Sequence, residues 1–232
     1  MYADIVFPKN NESEIMDFAE RLGWQALCFV YPTKSNTAIS ARKKHIEALR
    51  KNTQLKLHFG LLANPKEVNK LRKQADLILV KSSKQDRYTF ERAKPDLIYN
   101  LELAFKEDSL HYKKSGLNQV LCNLANKNRI MVAISLSEIL FTTQEQRAKL
   151  LARYSSNIKL CRKYQVEMCI ASFAKSEWEL RSPHDLMSLG ITLGMHPSEA
   201  KSSLENVAKR IYLNSRIKQG LHIAEGIEIV EP

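Results

Sequence analysis

The chain is poor in the residues that mark unusual architectures. Only seven Gly and seven Pro are spread through 232 residues, with no low-complexity tract and no repeat at solenoid or propeller period. Collagen-like, linker-rich and repeat folds are therefore excluded. No apolar run approaches the roughly 20 residues of a membrane-spanning helix. The opening MYADIV lacks the charged and apolar regions of a signal peptide. The four cysteines, Cys28, Cys122, Cys161 and Cys169, have no paired spacing and sit in apolar contexts such as ALCFV and EMCIA. There a thiol packs as a small hydrophobe, so buried free thiols in a reducing compartment are expected, without a disulfide framework. A soluble cytoplasmic protein with no membrane partner is the reading that follows.

What is present is charge and alternation. Lys and Arg number 36 against 25 Asp and Glu, a net charge of +11. That sign and size favour a polyanionic partner, whose counterions such a surface releases. With 44% hydrophobic residues the chain can build one sizeable core. Short β-like runs near Asp4–Phe7, Ala26–Val30, Lys56–Leu61, Leu77–Val80, Leu97–Tyr99, Met131–Ile134 and Glu167–Ala171 alternate with helical ones. The helices are expected near Glu12–Leu22, Ala41–Lys51, Pro65–Lys73, Asp86–Ala93, Leu117–Asn126, Gln144–Tyr164 and Pro183–Leu193. Seven such units predict an α/β fold, a parallel sheet wrapped by helices and closed as a TIM-barrel-like (βα) barrel in one domain. Several boundaries have mechanisms: Asn64-Pro65 as a cap followed by proline, Thr143 with Gln146 as a capping box, and Leu117, Val120, Leu121 and Leu124 as an apolar helical stripe.

In a barrel enzyme the catalytic groups gather at the C-terminal strand ends. Here those ends carry Lys9, Tyr31, Asn64, Lys81 to Lys84, Asn100 to Glu102, Ser135 to Ser137 and Ser172, almost devoid of carboxylates and histidines. The six histidines never occur at HxH or HExxH spacing, and the phosphate-binding glycine motifs and the serine-hydrolase elbow are missing. No catalytic residue and no metal ligand is assigned to the chain.

The densest local grammar lies in Ser172 to Lys201. Ser182, Pro183 and Asp185 read as cap, first helical residue and back-bonding carboxylate. Leu186, Leu189 and Leu193 share one face, Gly190 permits close approach, and Gly194 ends the helix. Arg181 stands just outside the cap. This block, RSPHDLMSLGITLGM (Arg181 to Met195), together with YADIVFP (Tyr2 to Pro8) and KSGLNQVLCNLANKNRIMVAIS (Lys114 to Ser135), resembles, in the same order, the archaeal ribonuclease P protein component 3 family. The eukaryotic counterpart of that family is the thirty-kilodalton subunit of the same ribonucleoprotein.

The resemblance covers most of residues 1 to 205, with a more variable extension over 206–232 in the single domain 1–232. It implies a barrel similar to the polymerase-and-histidinol-phosphatase hydrolases but without their metal site, since Tyr2-Ala3-Asp4 and Phe7-Pro8-Lys9 stand where the His-x-His pair would be. It also implies closing helices over Pro197–Leu204 and Val207–Arg216 and a terminal strand over Gly226–Val230. The implied partners are ribonuclease P RNA, protein component 2, the other protein subunits and, indirectly, precursor tRNA. Mg²⁺ chemistry is expected on the RNA subunit and no cofactor on this chain.

His111, Lys113 and Lys114 lead toward the helix expected from Leu117, whose free amides suit phosphate oxygens. Gln119, Asn123, Asn126 and Lys127 lie off its apolar stripe. Gln119 stands where many family members carry histidine and supplies no protonatable ring. By resemblance Arg181, Asp185 and Lys201 join the candidates for RNA contact, and Arg92 completes the set. Taken without the resemblance, Arg181 reads equally as a surface ion pair with Glu177 or Glu179, Asp185 as a cap, Lys201 as a solvated lysine, and Arg42-Lys43-Lys44 as a solvated face. Two other functions stay open on the residues alone: a barrel hydrolase with a non-local ligand set, and a protein adaptor whose positive charge is incidental.

Overall fold

Strands apolar on both sides must be buried on both faces. The structure, a computed structural model describing residues 1–33, 35–224 and 227–228, shows what each face meets. Seven strands, β1 (Ala3–Val6), β2 (Ala26–Pro32), β3 (Lys56–Leu62), β4 (Leu77–Lys81), β5 (Leu97–Tyr99), β6 (Met131–Ser135) and β7 (Met168–Ala171), pair in parallel in chain order. The sheet curls until its edges meet just beyond β7. Val6 bridges Ala174, the Phe7 amide donates to the Ala174 carbonyl at 2.7 Å, and the Phe173 amide to the Ile5 carbonyl at 2.9 Å. Within the seam the buried Asp4 carboxylate accepts the amides of Ser172 (2.7 Å) and Ile5 (2.8 Å). The result is the expected TIM-barrel-like single domain, with seven strands in place of eight.

Period-two alternation sorts each strand between two apolar layers. Ala3, Ile5, Ala26, Cys28, Val30, Leu77, Leu79, Leu97, Met131, Ala133, Cys169 and Ala171 fill the barrel interior. Leu27, Phe29, Phe59, Leu61, Ile78, Ile98, Val132 and Ile170 face the helices. A narrow barrel needs small inward residues. On β3 the need is absolute: a Cβ on Gly60 would come within 2.8 Å of Val30 Cγ2 and 2.9 Å of Cys28 Sγ. All four cysteines are buried and free.

The helices around the barrel are α1 (Glu12–Arg21), α2 (Asn36–Leu49), α3 (Val68–Leu71), α4 (Asp86–Tyr88), α5 (Gln119–Asn128), α6 (Leu136–Phe141), α7 (Gln144–Lys163), α8 (Pro183–Thr192) and α9 (Pro197–Lys218). The long α9 crosses the N-terminal mouth and plugs it with Val207, Ala208 and Ile211. Asn206 donates to the Met168 carbonyl at 2.9 Å and Asn214 to the Asp76 carbonyl at 3.0 Å, fixing the helix under β7 and β4. A short pair, β8 (His222–Ala224) and β9 (Ile227–Glu228), follows it. Of the terminal strand expected over 226–230, Gly226 and residues 229–230 lie outside the described residues. None of the described helices is long and apolar enough to cross a membrane.

Several expected boundaries move for identifiable reasons. The two closing helices are one, because nothing between Leu204 and Val207 interrupts the buried face of α9. Helix α2 begins at Asn36, five residues early, where Ser35 accepts the Ala38 amide as cap. The helix expected at Leu117 begins instead at Gln119. Gly116 holds a left-handed φ of +83°, Leu117 turns into the core, and the Asn118 side chain caps the Leu121 amide at 2.9 Å. Val120, assigned to the buried stripe, is exposed, and Cys122 and Ala125 take the inner face with Leu121. Thr143 occupies the cap of α7 without a side-chain cap bond, so the expected capping box there does not form. That end is tied down by Arg147, whose guanidinium takes the carbonyls of Leu140 and Thr142. At α8 the expected box is complete: Ser182 Oγ accepts the Asp185 amide and Asp185 Oδ2 the Ser182 amide, each at 3.2 Å. Gly190 packs against β7 where a Cβ would lie 2.6 Å from Ile170 Cδ1, and Gly194 takes a φ of +107°.

Candidate nucleic-acid interface

The C-terminal mouth of the barrel, where an enzyme would hold its reacting groups, is filled by aromatic side chains. Phe173 stacks on Tyr99 with ring centroids 5.1 Å apart, and Phe7 tilts against both at 5.6 and 5.8 Å. Burial, with the nearby Glu138 carboxylate, pushes the Tyr99 hydroxyl up to about 12. Polar groups around the plug serve one another. Asn100, in the left-handed region at φ +62°, donates to Glu138 at 2.6 Å. Asp4 is closed into the seam, where burial outweighs its hydrogen bonds from Ser172 and Ile5 and raises it to about 6. The described residues contain no group of three His, Cys, Asp or Glu side chains able to hold a metal ion. The donor set therefore does not fit the metal centre of a barrel hydrolase.

Beside the plug runs the segment 101–118, and a buried arginine holds it. Arg153 of α7 donates from Nη1 to the carbonyls of Glu102 (2.6 Å) and Phe105 (2.7 Å) and from Nε to Asp108 (2.9 Å). One turn on, Asn157 donates to the Glu102 carboxylate at 2.6 Å and to the Ser115 carbonyl at 2.9 Å. Asp108 in turn accepts the Lys114 amide at 2.8 Å. Burial alone would raise the Asp108 carboxyl, but the Lys114 amide and Arg153 outweigh it and hold it below its ordinary value. Glu102 is fully buried with its Oε2 unpartnered, and burial raises it to about 7 against the opposing pull of its hydrogen bonds and Arg153. Neither Arg153 nor Asn157 was marked as functional in the sequence, because each meets partners 42 to 55 positions away.

The fixed segment presents His111, Lys113 and the half-buried Lys114 to solvent, just before the N-terminus of α5. No carboxylate pairs with Lys113 or Lys114 among the described residues. Across a groove from them stand Lys84 and Arg87, and the groove is lined by Phe105 and Tyr112 as well. Gln119 is exposed on the first turn of α5, and Lys127 at the opposite end of the same helix. There Lys127 borders a second groove with Arg129, Lys209 and Arg210, but its cations are partly neutralised: Lys209 pairs with Glu205 at 3.2 Å and Arg210 with Glu167 at 3.1 Å. Arg92 is exposed on the π-helical turn Thr89–Ala93 that continues α4.

Arg181, Asp185 and Lys201 lie on the α8–α9 pair, apart from the 101–118 segment. The Arg181 guanidinium does not pair with Glu177 or Glu179; it donates to the carbonyls of Trp178 (2.9 Å) and Leu180 (2.6 Å), closing the turn before the cap. The candidates thus do not form one surface: His111, Lys113, Lys114 and Gln119 share one region, Arg181, Asp185 and Lys201 another, and Lys127 and Arg92 stand outside both. Arg42 is a correction of another kind. Of the run Arg42-Lys43-Lys44, Lys43 and Lys44 are exposed as expected, whereas Arg42 is half-buried and reaches the buried Glu12 at 3.2 Å, donates to Asn10 and covers the Tyr31 ring at 5.1 Å.

Comparison with known proteins gives this geometry a family. The sequence matches the RNase P subunit p30 family over residues 1–220. The chain belongs to that family. Among p30 relatives, ribonuclease P protein component 3 of Methanothermobacter thermautotrophicus is 30% identical over 224 residues, covering 91% of this chain and 87% of its own. A chain of archaeal ribonuclease P with mature tRNA, solved by cryo-EM, superposes with a TM-score of 0.82 at 22% identity over 99% of this chain and 98% of that one. The fold of A. niger ochratoxinase is also similar, at a TM-score of 0.54 and 11% identity over 90% of this chain and 71% of that chain. The chain thus shares a barrel fold with ochratoxinase, while its own mouth is closed by Phe7, Tyr99 and Phe173.

Proposed function

We propose that this p30-family chain works as a protein subunit of ribonuclease P, in the removal of the 5′ leader of precursor tRNA, and that its contribution is electrostatic and architectural. The family match over nearly the whole chain carries this reading. The plugged mouth and the unpaired cations of the 101–118 segment support it over the hydrolase alternative. RNA helices pressed together repel through their phosphates, and a rigid surface bearing fixed cations lowers that cost. Chemistry belongs to the RNA subunit with its Mg²⁺. The chain pairs with protein component 2, lies among the other protein subunits and meets precursor tRNA indirectly. His111, Lys113, Lys114 and Gln119 form the principal RNA-facing group, with Arg92, Lys127, Arg181, Asp185 and Lys201 as outlying positions.

Reconstitution tests this. Cleavage of precursor tRNA by the RNA with its other protein subunits should rise on adding this chain, and the chain alone should cleave nothing. Cleavage that tracks the purified chain, survives RNA removal and is lost on substituting its own residues would refute the reading.

A further inference from the structure

The groove between the β4–α4 connection and the 101–118 segment combines features that phosphate neutralisation alone does not require. It has a volume of about 500 Å³ and is lined by Lys84, Arg87, Phe105, Tyr112, Lys113 and Lys114. Tyr112 is 65% exposed and Phe105 47%, on a loop otherwise rich in charge. The one carboxylate lining the groove, Asp86, is turned inward, accepting the Ser82 hydroxyl at 2.6 Å and the Ser83 amide at 2.8 Å. Arg87 keeps only a surface pair with Glu91 at 3.7 Å, while Lys84, Lys113 and Lys114 form no ion pair among the described residues. Asn118 and Val120, at the N-terminus of α5, border the same space.

We infer that this groove binds a single-stranded RNA segment, stacking an unpaired base on Tyr112 with its flanking phosphates on Lys84, Arg87, Lys113 and Lys114. Aromatic faces beside a cationic track are the means by which proteins hold unstacked bases, since every base has a π-face and a duplex hides it. A protein partner fits less well. Its acidic surface would satisfy the cations but leave no reason for exposed rings set among them. The arginine and asparagine of α7 add preorganisation, because the segment bearing Tyr112 is hydrogen-bonded to the barrel at Glu102, Phe105, Asp108 and Ser115.

The inference rests on the proposed function and is tested with the full chain. The probes are a short labelled oligouridylate, a duplex RNA of the same length, and inorganic polyphosphate, which has charge and no bases. Tyr112→Ala should weaken oligouridylate binding at least about fivefold, the low end of what one stacked base contributes. Tyr112→Phe should retain it, and polyphosphate binding should be unchanged by either. Replacing Lys113 and Lys114 together by Ala should lower the salt slope by about 1.4, two phosphates at about 0.7 each for a single strand. The proposal fails if Tyr112→Ala leaves oligouridylate binding intact, or if duplex binds as tightly as the single strand. It fails equally if the substitution weakens association with component 2 instead, which would make the groove a protein interface. Failure of the broader reading looks different: precursor tRNA cleavage would then be indifferent to the whole chain.

Discussion

Arg153→Met should loosen the basic segment and destabilise the protein at once. Arg153 is 4% exposed and its guanidinium holds the carbonyls of Glu102 and Phe105 and the Asp108 carboxylate. Removing one partner of a buried ion pair costs about 3–5 kcal/mol when the abandoned charge stays buried. Here Asp108 retains 28% side-chain exposure and the Lys114 amide, so it can be rehydrated and the lower end applies, about 3 kcal/mol. In a domain of this length that corresponds to roughly 6–12 °C in Tm. Amide exchange should discriminate this from a general loss of stability. Under native conditions protection should fall first across 102–116, while the strands keep theirs in proportion to global stability. Precursor tRNA cleavage, measured well below the new Tm, should also fall, because the cations are no longer held in place. An unchanged Tm, or exchange that rises evenly over the barrel, would refute the assignment of Arg153 as the anchor.

Glu102 gives a pH dependence of defined sign. Its native pKa is raised from 4.5 to about 7, so the folded state binds more protons than the unfolded one between those values, and stability should fall as pH rises through that window. Glu102→Gln should melt higher than wild type at pH 8 by an amount worth up to about 3 kcal/mol, with the advantage gone below pH about 4.5. Identical pH profiles for the two proteins would contradict this. Arg181→Ala should stay within about 0.5 kcal/mol of wild type, since Arg181 is exposed and the carbonyls it covers, exposed at Trp178 and part-buried at Leu180, belong to a surface turn, yet should reduce activation of the RNA. Asp185→Ala should cost about 0.5–2 kcal/mol through loss of the capping box. Thermal melts beside cleavage assays separate the two, and a fully stable but inactive Asp185→Ala would reverse the roles.

The barrel was legible because its determinants are local. Short, mostly apolar β-like runs marked all seven strands, and the Ser182-Pro183-Asp185 grammar marked α8, down to the close contact at Gly190. The short α6 went unread although Ser135 and Glu138 stand at cap spacing and Ser135 accepts the Glu138 amide, because Leu136 to Phe141 follows β6 with no intervening loop. The plug escaped because Phe7, Tyr99 and Phe173 each look like an ordinary strand-end hydrophobe until the closed sheet brings three distant ends together. Arg153 and Asn157 read as polar positions on an amphipathic helix; burial, which separates an anchor from a solvated side chain, is a property of the fold. For the groove a signal did exist. Phe105, Leu110 and Tyr112 are large apolar residues inside a charged loop with no helical or strand period, so no core-facing stripe accounts for them.

The seam at Asp4 and Ser172 also sets an order in time. The first strand of the chain finds its second neighbour only in residues 172–174, and the plug of the N-terminal mouth arrives later still, with α9. During synthesis at about 5–20 residues per second, β1 waits on the order of 10–30 s with one edge open. Exposed parallel edges invite pairing with other chains. A nascent p30 chain released before its last helix is therefore expected to carry both an unzipped sheet and an uncovered apolar mouth, which makes truncation near the C-terminus a route to aggregation and not merely to a shorter protein.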